Sequence, residues 1–453
     1  MKLRIAVGCA FLAVFALHAA EFRAGAYGAK GDGKTVDTAA IQKAIDAAAA
    51  AKGGGTVVFA PGVYLTGSLF LKSRTELRVD AGVEVHGVQD LAAYPVMQTR
   101  IAGIEMKWPA ALVNVYEQSH VKISGKGVID GEGKIWWDKY WDLRKAYDPK
   151  GLRWAADYDC QRPRLIAIYK STDVDLQDLE LRRSGIWTVH ICYSRRVHVD
   201  GTTIRNNIGG KGPSTDGIDI DSSSNVLVEH CDIECNDDDI CLKAGRDADG
   251  LRVNRPTEKI VIRDNTVRGG AAGVTIGSET SGGIRDVEVY RIHVLPSVSS
   301  GILFKSASTR GGTIRNIVIH DLDMLGVGTA ISIALNWNPT YSYAKMPEGI
   351  VNPPDYWRVL TEAVPAEKGL PHFRNVEISN IKAVDAQRAI FVVSYKDSPL
   401  ENFKFKNLNI DAKIAGSIQY AGRWTFANTH IKTADGSVVK LLDCGNVTGL
   451  GER

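Results

Sequence analysis

The chain has 453 residues, of which 44% are apolar and 24% are charged, a balance typical of a globular protein with a large core. The formal net charge is only +3. This excludes the broad basic field that nucleic-acid binding needs, so a polyanionic ligand would have to be held by local positive residues.

The first 20 residues have the pattern of a secretory signal peptide. Lys2 and Arg4 form a positive segment, residues 5–17 form an apolar segment, and Ala19 and Ala20 follow. We therefore expect a periplasmic or secreted protein with no membrane contact after cleavage. A single membrane anchor is the alternative, and the short apolar segment disfavours it.

A helix is predicted over residues 37–52. Asp37 or Thr38 can cap its first turn, and the glycines at 53–55 end it. A strand with the sequence TVVFA and a Pro-Gly turn follow directly. The helix is expected to cap the N-terminal end of the fold that comes after it.

A short apolar–polar–apolar triplet then recurs through the chain. It begins at Val121, Val174, Val197, Val226, Ile260, Val287, Ile317, Val376 and Phe403. In the middle of the chain the starts lie 23 to 34 residues apart, and the gaps of 53 and 59 residues are interpreted as two periods each.

Repeats of short strands without a helical pattern between them indicate a solenoid whose coils pair in parallel. The sequence predicts an all-β parallel β-helix that forms a single domain over residues 21–453. A β-propeller is the competing interpretation, but it needs about 40 or more residues in each period.

Two aromatic-rich segments, 131–163 and 336–372, interrupt the repeat. In a solenoid such insertions become loops that form a wall along one side. Their aromatic rings are candidate contacts for sugar rings. The alternative is that these rings pack on the solenoid as small local cores.

The densest acidic region places Asp216 one coil away from Asp237 and Asp238. Stacked coils would bring these carboxylates together on one face, and mutual repulsion would raise at least one pKa. One protonated and one ionised carboxyl make an acid–base pair. The alternative for the acidic run is a solvated turn.

Cysteine and histidine spacings do not match a metal site, so we predict no metal and no cofactor. The cysteines after the leader could oxidise in an exported protein, but the sequence leaves their pairing open.

Several motifs together resemble glycoside hydrolase family 28, the family of polygalacturonases and rhamnogalacturonan hydrolases. They are TDGID at 215–219, DD at 237–238, IGSETSGG at 276–283, and GDGKTVDTAAIQKAID at 31–46, the last being similar to the bacterial branch. The resemblance implies a right-handed parallel β-helix, hydrolysis of glycosidic bonds in pectin with inversion, and no cofactor.

The resemblance also implies roles for individual residues. Asp237 would be the general acid, and Asp216 and Asp238 would hold and deprotonate the attacking water. Lys305 would bind a substrate carboxylate, and Glu279 is a further candidate for substrate contact.

Departures from the family pattern affect the expected substrate. The family's catalytic-site histidine is replaced by Ala271 or Ala272, according to the alignment, and the family's arginine two residues before Lys305 is replaced by Leu303. A leucine cannot pair with a carboxylate, so we expect an apolar patch that suits the methyl group of rhamnose.

The sequence therefore predicts a monomeric hydrolase that acts from chain ends on pectin of the rhamnogalacturonan type. Three alternatives remain open. One is an exo-polygalacturonase, another is a lyase that uses Lys243 or Arg246, and the third is a non-catalytic carbohydrate-binding β-helix.

Overall fold

The computed structural model describes residues 20–450, so the predicted signal peptide lies outside the described residues except for Ala20. One sheet of 32 strands winds through the chain as a right-handed parallel β-helix. The pairings within this sheet are parallel, as the repeat predicted. The antiparallel blades of a propeller are therefore excluded.

The predicted triplets stack directly on one another. Val197 pairs with Val174 on one side and with Val226 on the other. The same register continues back to Val121 and forward to Phe403. The first and third residue of each triplet enter a continuous apolar core, which confirms the period-2 interpretation.

The two long gaps are single coils, so their interpretation as two periods each was wrong. Val121 pairs directly with Val174, and Ile317 pairs directly with Val376. Each gap is therefore one coil enlarged by an insertion. Residue spacing alone cannot distinguish an additional coil from a segment that leaves the solenoid and returns.

The first half of the solenoid has separate strands on three faces. The first face, which carries the triplets, contains β1 (Ala20–Arg23), β3 (Gly55–Val58), β6 (Thr75–Arg78), β11 (Ser119–Ser124), β14 (Thr172–Gln177), β17 (Arg195–Asp200) and β20 (Ser224–Glu229). The second face contains β2 (Asp32–Val36), β4 (Gly62–Thr66), β7 (Val83–Gly87), β12 (Val128–Asp130), β15 (Glu180–Arg182), β18 (Thr203–Arg205) and β21 (Asp232–Glu234).

The third face carries the predicted site. It contains β5 (Leu69–Leu71), β10 (Val113–Tyr116), β13 (Arg164–Tyr169), β16 (Ile186–Cys192), β19 (Ile218–Asp221), β22 (Asp238–Lys243), β24 (Gly270–Ile276), β26 (Val298–Lys305) and β28 (Thr329–Ala334). Later strands lengthen and serve more than one face. They are β23 (Thr257–Val267), β25 (Ile284–Val294), β27 (Thr313–Leu325), β29 (His372–Val393), β30 (Leu400–Gln419), β31 (Ala421–Gly422), β32 (Trp424–Thr433), β33 (Lys440–Leu442) and β34 (Val447–Thr448).

The predicted N-terminal helix is confirmed as α1 (Thr38–Ala50), which buries Ile41 and Ile45 against the first coils. Asp37 occupies the N-cap position but does not cap the helix with its side chain. Its carboxylate instead accepts hydrogen bonds from the backbone N–H groups of Lys30 and Gly31.

The insertions contain helices that the sequence analysis described as loops. The first insertion contains α2 (Lys134–Tyr147) and α3 (Ala156–Asp159), and the second contains α5 (Pro339–Ser342), α6 (Asp355–Leu360) and α7 (Ala366–Gly369). Helix α4 (Asp247–Val253) lies outside both insertions, between β22 and β23. In α2 the aromatic residues recur at the i, i+1, i+4 and i+5 spacing of one helical face, and Trp136, Trp137 and Tyr140 of that face are buried. The helical period was therefore present in this segment but was not recognised.

A second hydrophobic core lies outside the solenoid. It joins both insertions to an antiparallel hairpin, β8 (Val96–Ile101) and β9 (Ile104–Pro109), which the sequence analysis missed. Trp108, Trp154 and Trp357 are its large side chains. We call these three segments, residues 96–109, 131–163 and 336–372, the insertion wall. Within residues 20–450, no helix has the length and apolarity of a membrane span.

The alternation in β27 gives a test of the fold. Ile319→Ala removes a fully buried side chain from the core and is expected to lower the free energy of unfolding by about 2–5 kcal/mol. Val318→Ala, at the neighbouring outward position that is 36% exposed, should cost less than about 1 kcal/mol. Urea unfolding of both variants checks this, and equal losses would contradict the assigned register.

Candidate active site

The third face of the solenoid brings the predicted site residues together. Asp216, Asp237, Asp238, Glu279 and Lys305 all line one pocket, which we call the acid pocket. Asp216 lies just before β19, Asp237 lies directly before β22, the neighbouring strand, and Asp238 is the first residue of β22. The expected proximity of the three aspartates is therefore observed.

Backbone hydrogen bonds fix the three aspartates relative to each other. The N–H of Gly217 donates to the carbonyl oxygen of Asp238 at 2.9 Å, and the N–H of Thr188 donates to that of Asp216 at 2.8 Å. Gly217 is needed here because a Cβ at this position would lie 2.4 Å from the carbonyl oxygen of Asp239. The two acidic segments can approach this closely because one of them contains glycine.

Lys243 lies at the centre of the buried acids. Its Nζ atom is 3.4 Å from Asp216 Oδ2, 3.5 Å from Asp219 Oδ1 and 3.4 Å from Glu279 Oε2. Asp216, Asp219 and Cys241 also place potential metal ligands within 4.8 Å of one another. Because the Lys243 ammonium already supplies the positive charge among these carboxylates, this cluster does not fit a cation site.

Lys305 forms the shortest ion pair of the acid pocket. Its Nζ atom lies 2.6 Å from Asp238 Oδ2, and the Thr275 hydroxyl donates to Asp238 Oδ1 at 2.9 Å. These two donors stabilise the carboxylate form of Asp238. The ammonium also lies 4.7 Å from the centre of the Trp337 ring. Lys305 was expected to bind a substrate carboxylate, but its observed ionic partner belongs to the protein.

The other two aspartates, Asp237 and Asp216, have raised pKa values that favour their protonated forms. Burial raises the pKa of Asp237 to about 8, and the negative charges of Asp216 and Asp238 add to this effect. The pKa of Asp216 is also raised, by burial and by Asp219, although Lys243 opposes the shift. A protonated Asp237 next to an ionised Asp238 can donate one proton and accept another.

Asp219 belongs to the acid cluster but was not identified from the sequence as a site residue. It is fully buried, and its carboxylate oxygens have no hydrogen-bond partner among the described residues. Burial raises its pKa to about 8. The alternation of Ile218, Asp219 and Ile220 could have identified it, because the core side chains on either side direct Asp219 to the face that carries Asp216.

Glu279 lies in the acid pocket as an ionised carboxylate. Lys243 and Arg310 lower its pKa despite its burial. The Tyr341 hydroxyl donates to its Oε1 atom at 3.1 Å. Glu279 therefore contacts both Lys243 of the third face and Tyr341 of the insertion wall.

The expected apolar patch at Leu303 is absent from the acid pocket. Leu303 is only 2% exposed and is not among the residues that line the pocket. It lies on the third face between Thr275 and Ser332 of the adjacent coils. The sequence showed which residue replaces the family's arginine but not that neighbouring side chains cover it.

The insertion wall contributes some of the expected aromatic residues to the acid pocket and two charged residues that were not expected. Trp337 and Tyr341 of the second insertion line the acid pocket, as predicted for aromatic contacts. In the first insertion, five aromatic side chains are buried and unavailable to a sugar: Trp136, Trp137, Tyr140, Trp154 and Tyr158. Arg153 and Asp157 of that insertion line the pocket instead.

The two insertions meet at the acid pocket, where Arg153 of the first and Tyr341 of the second both line it. The Arg153 guanidinium lies 5.0 Å from the centre of the Tyr341 ring, and the rings of Trp154 and Trp357 are also 5.0 Å apart. Arg246, considered as a lyase base, is fully buried and donates to Tyr158 Oη and to the backbone carbonyl of Tyr341. It is therefore structural and unsuited to proton abstraction.

The raised pKa of Asp219 predicts a pH-dependent stability. Between its ordinary value near 4 and about 8, the folded chain retains a proton that the unfolded chain has released, so stability falls as pH rises. Asp219→Asn removes this contribution, which is at most about 1.4 kcal/mol per pH unit. We therefore expect the variant to gain stability relative to the unmodified protein from pH 5 to pH 8.

Urea unfolding at several pH values measures this difference. Asp411→Asn, at an exposed position of β30, is the control and should leave the pH dependence unchanged. Identical slopes for the unmodified protein and the Asp219 variant would contradict the proposed proton uptake.

Comparison with known families places most of the chain in one of them. The model described as glycosyl hydrolases family 28 matches residues 57–428. A second model, described as rhamnogalacturonase A/epimerase, pectate lyase-like, matches residues 23–83. The first match contains all residues of the acid pocket that the sequence analysis identified.

Individual relatives agree with this match. A probable polygalacturonase from Vitis vinifera is 32% identical over 307 residues, which cover 66% of this chain and 59% of the grape protein. An exo-poly-alpha-D-galacturonosidase from Dickeya chrysanthemi is 25% identical over 465 residues, covering 91% of this chain and 74% of that protein. The crystal structure of a hyperthermoactive exopolygalacturonase from Thermotoga maritima superposes with a TM-score of 0.78 at 28% identity, covering 91% of each chain.

Proposed function

The chain belongs to glycosyl hydrolases family 28 and is a glycosidase, and from this premise we propose that Asp216, Asp237 and Asp238 cleave glycosidic bonds of pectin by attack of water. The observation that carries the proposal is that two adjacent carboxyl groups have different surroundings: burial raises the pKa of Asp237 to about 8, whereas Asp238 forms an ion pair with Lys305 at 2.6 Å. General acid–base hydrolysis needs both protonation states within one pocket.

In the proposed reaction, Asp237 protonates the leaving glycosidic oxygen as the bond from that oxygen to the anomeric carbon breaks. Asp238 takes a proton from the attacking water, and Asp216 holds that water in place. The oxygen of the water forms the new bond to the anomeric carbon. Direct attack by water implies inversion of configuration, as the family resemblance also indicates.

We propose that the enzyme acts from chain ends. Arg153 and Tyr341, from different insertions, contact each other at the lining of the acid pocket, and a wall at this point would stop a continuous polymer from passing through. Two relatives that align with most of this chain are described as exo-acting, those of Dickeya chrysanthemi and Thermotoga maritima.

The favoured substrate is an acidic chain of galacturonate units. Lys243, Lys305 and Arg153 line the acid pocket among its carboxylates and place three cations within reach of an acidic sugar. Rhamnogalacturonan is the second candidate. It is supported by the loss of the family's arginine at Leu303 and by the rhamnogalacturonase-type match at the N-terminal end. The burial of Leu303 weakens this candidate because the leucine offers no contact to a rhamnose methyl group.

Export is also part of the proposal. The positive and apolar segments of residues 1–20 support a signal peptide, which would bring the enzyme to its polymeric substrate outside the cytoplasm.

Asp237→Asn tests the proposed general acid. The amide cannot donate the required proton to the leaving group, so turnover should fall by about 100-fold or more. Asp239→Asn is a matched control in the same turn. Burial raises the pKa of Asp239, which makes a neutral amide a close substitute, and the Cys235 thiol can still donate to Oδ1. Initial rates of hydrolysis are measured for both variants. Equal losses of turnover would show that this turn has only a structural role and would contradict Asp237 as the general acid.

A substrate panel tests the type of pectin and the mode of attack. We expect polygalacturonate to release short acidic products from the start, with little loss of viscosity, and rhamnogalacturonan backbone to react more slowly. The first product should have the anomeric configuration opposite to that of the cleaved bond, as seen by proton NMR. Preferred cleavage of rhamnogalacturonan would favour the second candidate, and rapid loss of viscosity would contradict chain-end attack.

A further inference from the structure

Arg153 is a cation of the acid pocket that comes from the insertion wall and not from the solenoid. Its side chain lines the pocket and retains 16% exposure. It lies between α2 and α3, in a segment that the sequence analysis examined only for its aromatic residues. It lies beside Tyr341, where the two insertions meet.

The hydrogen-bonding capacity of Arg153 is largely unused. Among residues 20–450, the one hydrogen bond of its side chain runs from Nη1 to Asp157 Oδ2 at 2.7 Å. A guanidinium carries several further N–H donors in a planar fork. Lys305 and Lys243, by contrast, are already engaged by Asp238 and by three carboxylates. Arg153 therefore offers a ligand several donors in one plane, whereas the ammonium groups of Lys305 and Lys243 already lie against carboxylates of the protein.

The guanidinium is held in a fixed position. Asp157, its partner, also accepts hydrogen bonds from Arg162 Nη2 at 3.2 Å and from the Ser214 hydroxyl at 2.8 Å. The neighbouring arginines lower the pKa of Asp157 to about 2, so it stays ionised. The Tyr341 ring supports the guanidinium from the other insertion. A preorganised guanidinium loses little conformational freedom when it binds a planar anion.

We propose that Arg153 binds the carboxylate of the galacturonate unit that lies against the insertion wall, and so selects acidic sugars. The inference rests on the proposed function, because it assumes that a pectic chain enters the acid pocket. The fork of N–H donors matches the two oxygens of a carboxylate. Because Arg153 lies where the two insertions meet, this contact falls to the sugar unit that reaches the insertion wall.

A purely structural role for Arg153 predicts a different outcome. If it served only to hold the wall through Asp157 and Tyr341, its replacement would disturb all ligands equally. A role in binding requires a selective effect on charged sugars. The two roles are therefore distinguished by comparing an acidic ligand with the same ligand lacking its charge.

The test measures binding of trigalacturonate and of its methyl ester by calorimetry, in an Asp237→Asn background that suppresses hydrolysis. Arg153→Gln should weaken trigalacturonate binding by about tenfold or more and leave ester binding unchanged. The affinity of Arg153→Lys for trigalacturonate should lie between those of the background protein and Arg153→Gln, because lysine keeps the positive charge but lacks the planar fork of N–H donors. Arg358→Gln, an exposed arginine of α6 in the same wall, is the control and should match the background protein.

The remaining outcomes overturn the inference. They are equal weakening of both ligands by Arg153→Gln, an unchanged affinity for trigalacturonate, and no binding of trigalacturonate to the background protein. Failure of the proposed function has a separate signature: the unmodified enzyme hydrolyses no pectic polymer, while charge-selective binding through Arg153 persists.

Discussion

Parallel pairing between successive coils is the constraint on which the site depends. In a parallel β-helix, residues one coil apart in sequence lie about 4.8 Å apart in space when they occupy the same register. The pairing of β19 with β22 thus brings Asp216 next to Asp237 and Asp238. Each acid is positioned by a strand whose neighbouring side chains are anchored in the core, so the solenoid supplies a rigid base for the catalytic groups.

The short distances between these acids place several carboxyl groups in one buried cluster, and the two lysines neutralise only part of their charge. Lys243 and Lys305 cannot balance all the carboxylates that surround them, and burial penalises every charge that remains. The cluster therefore retains protons at pH values where isolated aspartates would have lost them. The same imbalance lowers stability as pH rises and, in our proposal, supplies the proton for bond cleavage. Folding and catalysis are thus coupled through the same buried groups.

Much of the fold could be predicted from the sequence because the repeat is local. A triplet such as Val197–Val199 shows its inward and outward positions by alternation alone, and the glycines after α1 mark the end of the helix. The grouping of the three aspartates followed from the period. The length of a coil, however, did not reveal whether the additional residues formed another coil or an insertion.

The remaining features depend on contacts between segments that are distant in sequence. The second hydrophobic core joins hairpin β8–β9 to both insertions, and no local pattern indicates that Trp108, Trp154 and Trp357 meet. The burial of Leu303 and the exposure of Arg153 to the pocket also depend on contacts with other coils or insertions. The sequence showed which residue stands at each position but not which of the two side chains reaches the pocket.

The pH dependence of kcat/KM on polygalacturonate tests the central claim most directly, because this parameter reports the ionisation of the free enzyme. If a protonated Asp237 is the general acid, kcat/KM should decline on the alkaline side of about pH 8, where its raised pKa places the loss of the proton. A profile that declines already above pH 5, or one that stays level to pH 10, would contradict a pocket that holds this acid protonated.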